Sequence, residues 1–174
     1  MDDHYNQVMD RIKSAPAGQA RLYFGYSSVL DRAAFEEWKM QHGYPHFNLP
    51  EGEIVKAQDW KMDFNFPSRW WGGRAPGLVS SPGDAVYGKL YSLRSEEWPM
   101  IQHKEGHVTG AAVELNVMVT RSDGSRVEAT AFTTNPVRVA HDGPVSARYL
   151  AAYEKGARDA GLPEEFIASV LRAQ

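Results

Sequence analysis

The densest group of side chains that could do chemistry lies in the five residues from His103 to His107, which hold two histidines, a lysine and a glutamate. On an extended backbone, His103, Glu105 and His107 would share one face and could hold a metal ion. Gly106 favours a bend there, and no fourth ligand has an evident matching position. The alternative is that Glu105 is a lone carboxylate beside a glycine.

A second segment, residues 21–30, combines apolar alternation with a turn of small hydroxylated residues. The alternation predicts a strand over residues 21–26, and Asp31 is a good N-cap for the helix that follows. Between them, Ser27 and Ser28 would expose backbone N–H groups that can bind an anion. An ordinary strand-to-helix corner explains the same pattern, so the residues alone leave both interpretations open.

Length and composition exclude several classes of protein. A chain of 174 residues with 43% hydrophobic and 24% charged residues is typical of one globular domain. The formal charge of -3 and the lack of a Lys/Arg cluster argue against nucleic acid as a partner. The absence of cysteine excludes disulfides, thiolate nucleophiles and cysteine-ligated metals. No apolar run predicts a membrane span and the acidic N-terminus does not resemble a signal peptide, so we expect a cytoplasmic protein without a membrane partner.

The pattern along the chain predicts strands first and helices late. Period-two alternation and turn residues predict strands at 53–66, 75–80, 86–93, 108–120 and 126–134, with turns at 82–84 and 122–125. Helical spacing and caps predict helices at 31–43, 95–102, 147–161 and 163–172, and a short helix at 3–14. We therefore expect an N-terminal extension over residues 1–20 and one α+β domain over residues 21–174. Its mostly antiparallel sheet would curl into a small barrel with flanking helices.

Five short motifs, taken together, resemble the gamma-glutamylcyclotransferases in that family's order and spacing. They are Tyr26-Ser27-Ser28-Val29, Trp70-Trp71-Gly72-Gly73-Arg74-Ala75, Ser81-Pro82-Gly83-Asp84, Glu105-Gly106 and Gly161-Leu162-Pro163. No single motif is specific, and the resemblance rests on their common register over about residues 21–172. It implies an enzyme that releases 5-oxoproline from a gamma-glutamyl amino acid or amine. In that reaction the substrate's own α-amine attacks its γ-amide carbonyl.

The resemblance also implies roles for particular residues. Glu105 would be the catalytic general acid and base. The substrate-binding residues would be Tyr23, Gly25, Tyr26, Ser27, Ser28, Val29 and Tyr149. No metal or other cofactor is needed, and the expected partner is a small gamma-glutamyl molecule. The substrate stays open among a dipeptide, glutathione, a gamma-glutamylated lysine or amine, and a biosynthetic intermediate. The choice between a monomer and the homodimer common in the family stays open too.

The chain departs from the family's pattern at four positions. Ser27 and Val29 replace a glycine and an asparagine, and Ala112 and Phe132 stand where aromatic hydroxyls are common. These departures keep a second hypothesis open, in which the same fold binds gamma-glutamyl compounds or 5-oxoproline without catalysis. A third hypothesis is a metal-dependent hydrolase built on the three-ligand arrangement of residues 103–107.

Overall fold

The computed structural model describes residues 20–174, so the helix predicted at 3–14 lies outside the described residues. The strands are β1 (Ala20–Gly25), β2 (Glu53–Ser68), β3 (Gly73–Arg94), β4 (Ala112–Thr120) and β5 (Arg126–Thr134). The helices are α1 (Arg32–His42), α2 (Trp98–Lys104), α3 (Ala147–Asp159) and α4 (Glu164–Arg172). Short 3₁₀ turns cover Ser28–Leu30, Ser95–Glu97 and Pro136–Arg138. None of the helices in the described part of the chain is long and apolar enough to cross a membrane.

The five strands close into a barrel in the order β1-β3-β2-β4-β5. Neighbouring strands are antiparallel except at the closure, where β1 meets β5 in parallel through the pair Tyr23 and Thr130. The helices flank this barrel, so the predicted α+β domain with a mostly antiparallel barrel is confirmed. The hairpin predicted at residues 122–125 is also confirmed, because it joins β4 to β5.

The segment from residue 75 to residue 93 differs from the prediction of two strands and a turn. It lies within one continuous strand, β3. Trp60 of β2 pairs with Ser80, whereas Gln58 pairs with Ala85, so one residue of β2 faces four of β3. This is a shift in the pairing register, at which Asp59 has a positive φ of 67° and its Oδ1 accepts a hydrogen bond of 2.9 Å from Gly83 N–H. Pro82, Gly83 and Asp84 are turn-forming residues that here bend a strand without ending it.

Side-chain caps begin α1 and α3, two of the helices that contribute residues to the predicted site. The Asp31 carboxylate accepts a hydrogen bond of 3.0 Å from Ala33 N–H at the start of α1. The Ser146 hydroxyl accepts one of 3.0 Å from Tyr149 N–H at the start of α3. Both predicted caps are therefore confirmed. Since Tyr149 lies in the first turn of α3, the Ser146 cap also fixes the backbone position from which the Tyr149 side chain extends.

Helix α3 packs directly on the 3₁₀ turn Ser28–Leu30. A Cβ atom added to Gly156 would lie 2.4 Å from the backbone nitrogen of Asp31, so only glycine permits this approach. The turn is therefore supported by the late helix as well as by the strand that precedes it.

Candidate active site

A cavity of about 580 Å³ lies between the end of β1, helices α1 and α2, and the chain around the end of β2. Four of the predicted site residues line it, namely Ser27, Ser28, Glu105 and Tyr149. A larger, shallower groove of about 700 Å³ runs along β1 and β5 but contains none of the predicted site residues. Size alone therefore does not locate the site. The positions of the four predicted site residues indicate the smaller cavity.

Glu105 lies at the carboxyl end of α2. Its N–H donates to the carbonyl of Ile101 at 2.9 Å, and Gly106 follows with a positive φ of 81°. The segment is therefore a helix end rather than an extended chain. Glycine is favoured at residue 106 because the reversal of the chain requires this left-handed conformation.

The metal-binding arrangement of His103, Glu105 and His107 does not form. Nδ1 of His103 lies 2.9 Å from the Tyr44 hydroxyl, and Nδ1 of His107 lies 3.2 Å from the carbonyl of Ala112. Within residues 20–174, no group of three or more potential ligands is close enough to hold a metal ion. The hypothesis of a metal-dependent hydrolase on these three residues is wrong, because a helix end does not place alternate side chains on one face.

Tyr23 holds the carboxylate of Glu105. Its hydroxyl donates a hydrogen bond of 2.5 Å to Oε1 of Glu105, and its side chain is 2% exposed. Burial, followed by the neighbouring Glu105 charge, raises the pKa of Tyr23 well above its usual value. The hydroxyl therefore stays protonated and acts as a donor. Tyr23 does not line the cavity, so it lies behind Glu105, and its predicted contact with substrate stays a prediction.

Tyr26, Gly25 and Val29 form the wall behind the turn. The Tyr26 hydroxyl donates to the carbonyl of Phe132 at 2.6 Å, which ties β1 to β5. A Cβ on Gly25 would lie 2.6 Å from Cγ1 of Val29, so the glycine makes room for the valine. Val29 is 1% exposed, and none of these three side chains lines the cavity. Their predicted contact with substrate stays a prediction.

Ser27 and Ser28 bring the turn itself to the cavity. Internal hydrogen bonds of the turn begin at Leu30 N–H, which donates to the Ser27 carbonyl at 3.1 Å. The N–H groups of Ser28 and Val29 precede Leu30 and are therefore not used in the turn's own hydrogen bonds. Ser27 has a φ of -117°, outside the left-handed region, so this position does not require glycine.

The Tyr149 hydroxyl is a buried polar group that lacks a partner. Tyr149 is 1% exposed, and its oxygen makes no hydrogen bond within the described part of the chain. Burial raises the pKa of Tyr149 well above its usual value, and a contact with the Ser27 side chain that falls short of hydrogen-bond geometry opposes this effect. A buried hydroxyl without a partner is costly to the fold, and this one lines the cavity, where a ligand can supply the missing bond.

Lys104 is a cavity residue that the sequence analysis did not identify. Its ammonium group donates a hydrogen bond of 3.1 Å to the hydroxyl of Ser28. Burial lowers the pKa of Lys104, against an opposing effect of Glu105. The sequence feature that could have identified Lys104 is its position directly before Glu105. A lone lysine beside a glycine turn is otherwise typical of a solvated surface.

An aromatic wall forms another side of the cavity. The rings of Trp38 and His42 stack with centroids 4.4 Å apart, and His42 meets Trp70 edge-on at 5.6 Å. His42 is the last residue of α1 and lines the cavity. Trp70 and Trp71 line the cavity too, whereas Arg74 uses its guanidinium on the carbonyls of Phe64 and Gly143.

Comparison with known proteins relates the chain to one group of proteins. The sequence model of the AIG2-like family matches residues 85–170. A gamma-glutamylcyclotransferase of Bos taurus is 27% identical over 157 residues, which are 86% of this chain and 76% of that protein. One of Homo sapiens is 25% identical over 160 residues, 88% of this chain and 78% of its own. A solved gamma-glutamyl cyclotransferase shares the fold with a TM-score of 0.71 and 23% identity, over 87% of this chain and 86% of that one.

Proposed function

We propose that this chain, which belongs to the gamma-glutamylcyclotransferase family, releases 5-oxoproline from a gamma-glutamyl amino acid or amine. The observation that carries the proposal is the meeting of three features in one cavity. These are a carboxylate held by a buried tyrosine, a second buried tyrosine without a partner, and a turn of small residues. The relatives carry the name of the reaction, and the cavity supplies groups suited to it.

In this reaction the α-amine nitrogen of the substrate bonds to its γ-carbonyl carbon, and the bond from that carbon to the leaving nitrogen breaks. One proton must pass from the attacking nitrogen to the leaving nitrogen. We assign that transfer to Glu105, acting first as base and then as acid. Because Tyr23 donates to Oε1, Oε2 is the oxygen that we assign to the proton.

The cavity would also fold the flexible glutamyl chain for attack. Well-oriented intramolecular reactions reach effective molarities of about 10⁵ M or more, so positioning is a large part of the task. Ser27 and Ser28 lie beside the cavity with the amides of the 3₁₀ turn, and the Tyr149 hydroxyl provides a further donor. We assign to these groups the binding of the substrate's carboxylate and carbonyl oxygens.

A non-catalytic binding protein of the same fold is the second candidate. The observation that favours it is the pair of replacements at Ser27 and Val29. The backbone angles of Ser27 weaken that argument, because a φ of -117° is open to any residue and the turn forms without glycine. We therefore place catalysis first and binding without turnover second.

The test is 5-oxoproline release from a panel of gamma-glutamyl dipeptides and gamma-glutamyl amines by the full chain. Glu105→Gln removes the proton-transfer group and nearly preserves shape, so release should fall by about 100-fold or more. The matched control is Glu165→Gln, because Glu165 is exposed on α4 and does not line the cavity. The control should keep the wild-type rate.

Two outcomes would contradict the catalytic proposal. If Glu105→Gln released 5-oxoproline as fast as Glu165→Gln, Glu105 would not be the general acid and base. If the wild-type protein turned over nothing in the panel while 5-oxoproline raised its melting temperature, binding without catalysis would replace the proposal.

A further inference from the structure

Lys104 is unusual among the cations that line the cavity. Arg69 and Arg138 also line it, but both are exposed to solvent, whereas Lys104 is half-buried. Its hydrogen bond goes to the neutral hydroxyl of Ser28, and its ammonium lies 5.9 Å from the centre of the Phe35 ring. None of the ion pairs formed among residues 20–174 includes Lys104.

A partly buried ammonium that forms no salt bridge is stabilised by an anion that binds beside it. Removing a charge from water is costly unless a counter-charge or several hydrogen bonds replace the lost solvent. One of the three donors of Lys104 is used on Ser28, which leaves donors for a ligand in the cavity. The neighbouring carboxylate of Glu105 instead accepts a hydrogen bond from Tyr23.

We propose that Lys104 is a substrate-binding residue whose ammonium group binds the α-carboxylate of the gamma-glutamyl moiety. This inference rests on the proposed function, because it concerns the substrate of the same cavity. The α-carboxylate is the anionic group that every gamma-glutamyl substrate carries, whatever amine leaves. It also persists in the product, since 5-oxoproline keeps one carboxylate and has no other charge.

The Lys104 ammonium could instead act on one of two other anionic groups, and each alternative predicts different binding and kinetics. An ammonium that stabilised the oxyanion of the transition state would act on the rate and not on the binding of 5-oxoproline. An ammonium that bound a carboxylate on the leaving amino acid would discriminate only among leaving groups. Measuring the affinity for 5-oxoproline distinguishes the α-carboxylate from the oxyanion. Measuring the kinetics of a substrate without a leaving-group carboxylate distinguishes the α-carboxylate from a carboxylate on the leaving amino acid.

The binding test titrates 5-oxoproline and its uncharged carboxamide into the folded protein by calorimetry. Lys104→Gln should weaken 5-oxoproline binding by about 10-fold to 100-fold, the range expected for a hydrogen bond to a charged group, and should leave carboxamide binding within about twofold. Lys104→Arg keeps the charge and should lose less than Lys104→Gln. The control Lys61→Gln removes an exposed lysine outside the cavity and should bind both compounds as the wild type does.

The kinetic test compares a gamma-glutamyl dipeptide with a gamma-glutamyl amine that has no carboxylate on the leaving group. Lys104→Gln should raise KM for both substrates by a similar factor, with kcat changed much less. A loss confined to the dipeptide would overturn the proposal in favour of the leaving group. A fall in kcat with unchanged 5-oxoproline binding would overturn it in favour of the oxyanion.

Failure of this inference differs from failure of the proposed function. If the wild type releases and binds 5-oxoproline while Lys104→Gln binds it equally well, only the role of Lys104 is overturned. If the wild type neither releases nor binds 5-oxoproline, the proposed function is overturned and the role of Lys104 with it. If Lys104→Gln does not fold, the calorimetric titration of the wild-type protein still tests the proposal. Equal affinity of the wild type for 5-oxoproline and its carboxamide would contradict an ionic contact.

Discussion

The hydrogen bond from Tyr23 to Glu105 gives the sharpest prediction about how the carboxylate is positioned. Tyr23→Phe removes the donor at 2.5 Å from Oε1 and keeps the ring. The ring contacts of Tyr23 with Tyr91, Trp98 and Phe132, at centroid distances of 5.8, 6.2 and 6.1 Å, do not need the hydroxyl. The change therefore acts on Glu105 and little on packing.

The magnitude follows from the type of bond. A hydrogen bond to a charged group contributes about 1.5–3 kcal/mol. If that free energy holds Glu105 in its reactive position, kcat should fall by about tenfold to hundredfold, since about 1.36 kcal/mol corresponds to tenfold in rate. KM should change little, because Tyr23 does not line the cavity. Stability should fall by less than this, because Glu105 is partly exposed and water can replace the lost donor.

The measurement is steady-state 5-oxoproline release, with thermal unfolding of the same samples. Tyr91→Phe is the matched control, since Tyr91 stacks on Tyr23 in the same cluster and is 3% exposed. The reasoning would be refuted if Tyr23→Phe kept kcat within about twofold of the control. It would also be refuted if KM rose while kcat stayed constant, because Tyr23 would then contact substrate and not position Glu105.

Three further changes test the supports and the charge of the cavity. Gly156→Ala places a Cβ 2.4 Å from the Asp31 nitrogen, so we expect a loss of about 1–3 kcal/mol in unfolding free energy by denaturant titration. Ser146→Ala leaves Tyr149 N–H without its cap and should cost about 1 kcal/mol, with weaker 5-oxoproline binding by calorimetry. Burial lowers the pKa of Lys104, so the affinity for 5-oxoproline should fall as the pH rises toward 10.5, and Lys104→Arg should abolish that fall. The other charged or titratable groups that line the cavity are Glu105, His42, His103, Arg69, Arg138 and Tyr149.

The sign of the pH effect on stability follows from the same lowered pKa of Lys104. Between its pKa in the folded protein and the ordinary 10.5, the unfolded chain holds one proton more than the folded chain at this residue. Stability therefore rises with pH through that window, and the cost of burying the ammonium is fully present below it. Bound 5-oxoproline should reduce this dependence, because an anion beside Lys104 raises its pKa.

Local signals in the sequence were enough for the elements around the site. The caps at Asp31 and Ser146 and the hairpin between β4 and β5 are decided by a few neighbouring residues, and the structure has them where the sequence predicts them. The register shift in β3 was not predictable in this way. Ser-Pro-Gly-Asp is a turn by local chemistry, and only the pairing of β3 with the long strand β2 on both sides of it makes the chain one strand.

The partners of Glu105 depended on contacts between distant parts of the chain. The resemblance identified Glu105, but Tyr23 is 82 residues earlier, and nothing in the spacing indicates that their side chains meet. Lys104 and Ser28 are 76 residues apart and are joined in the same way. Such contacts follow from closure of the barrel between β1 and β5 and from the docking of α2, which periodicity and local propensity do not describe.

The two replacements in the turn have different physical consequences. Ser27 costs the turn little, since its φ of -117° needs no glycine. Val29 replaces the family's asparagine with an apolar side chain. That side chain is 1% exposed and packs against Gly25, so the amide of an asparagine would be buried here against apolar neighbours. Lys104 meanwhile brings a charged donor to Ser28, the adjacent residue of the turn. On our proposal, Lys104 of α2 supplies the polar contact at this turn, which favours a changed way of holding the substrate's carboxylate over a loss of catalysis.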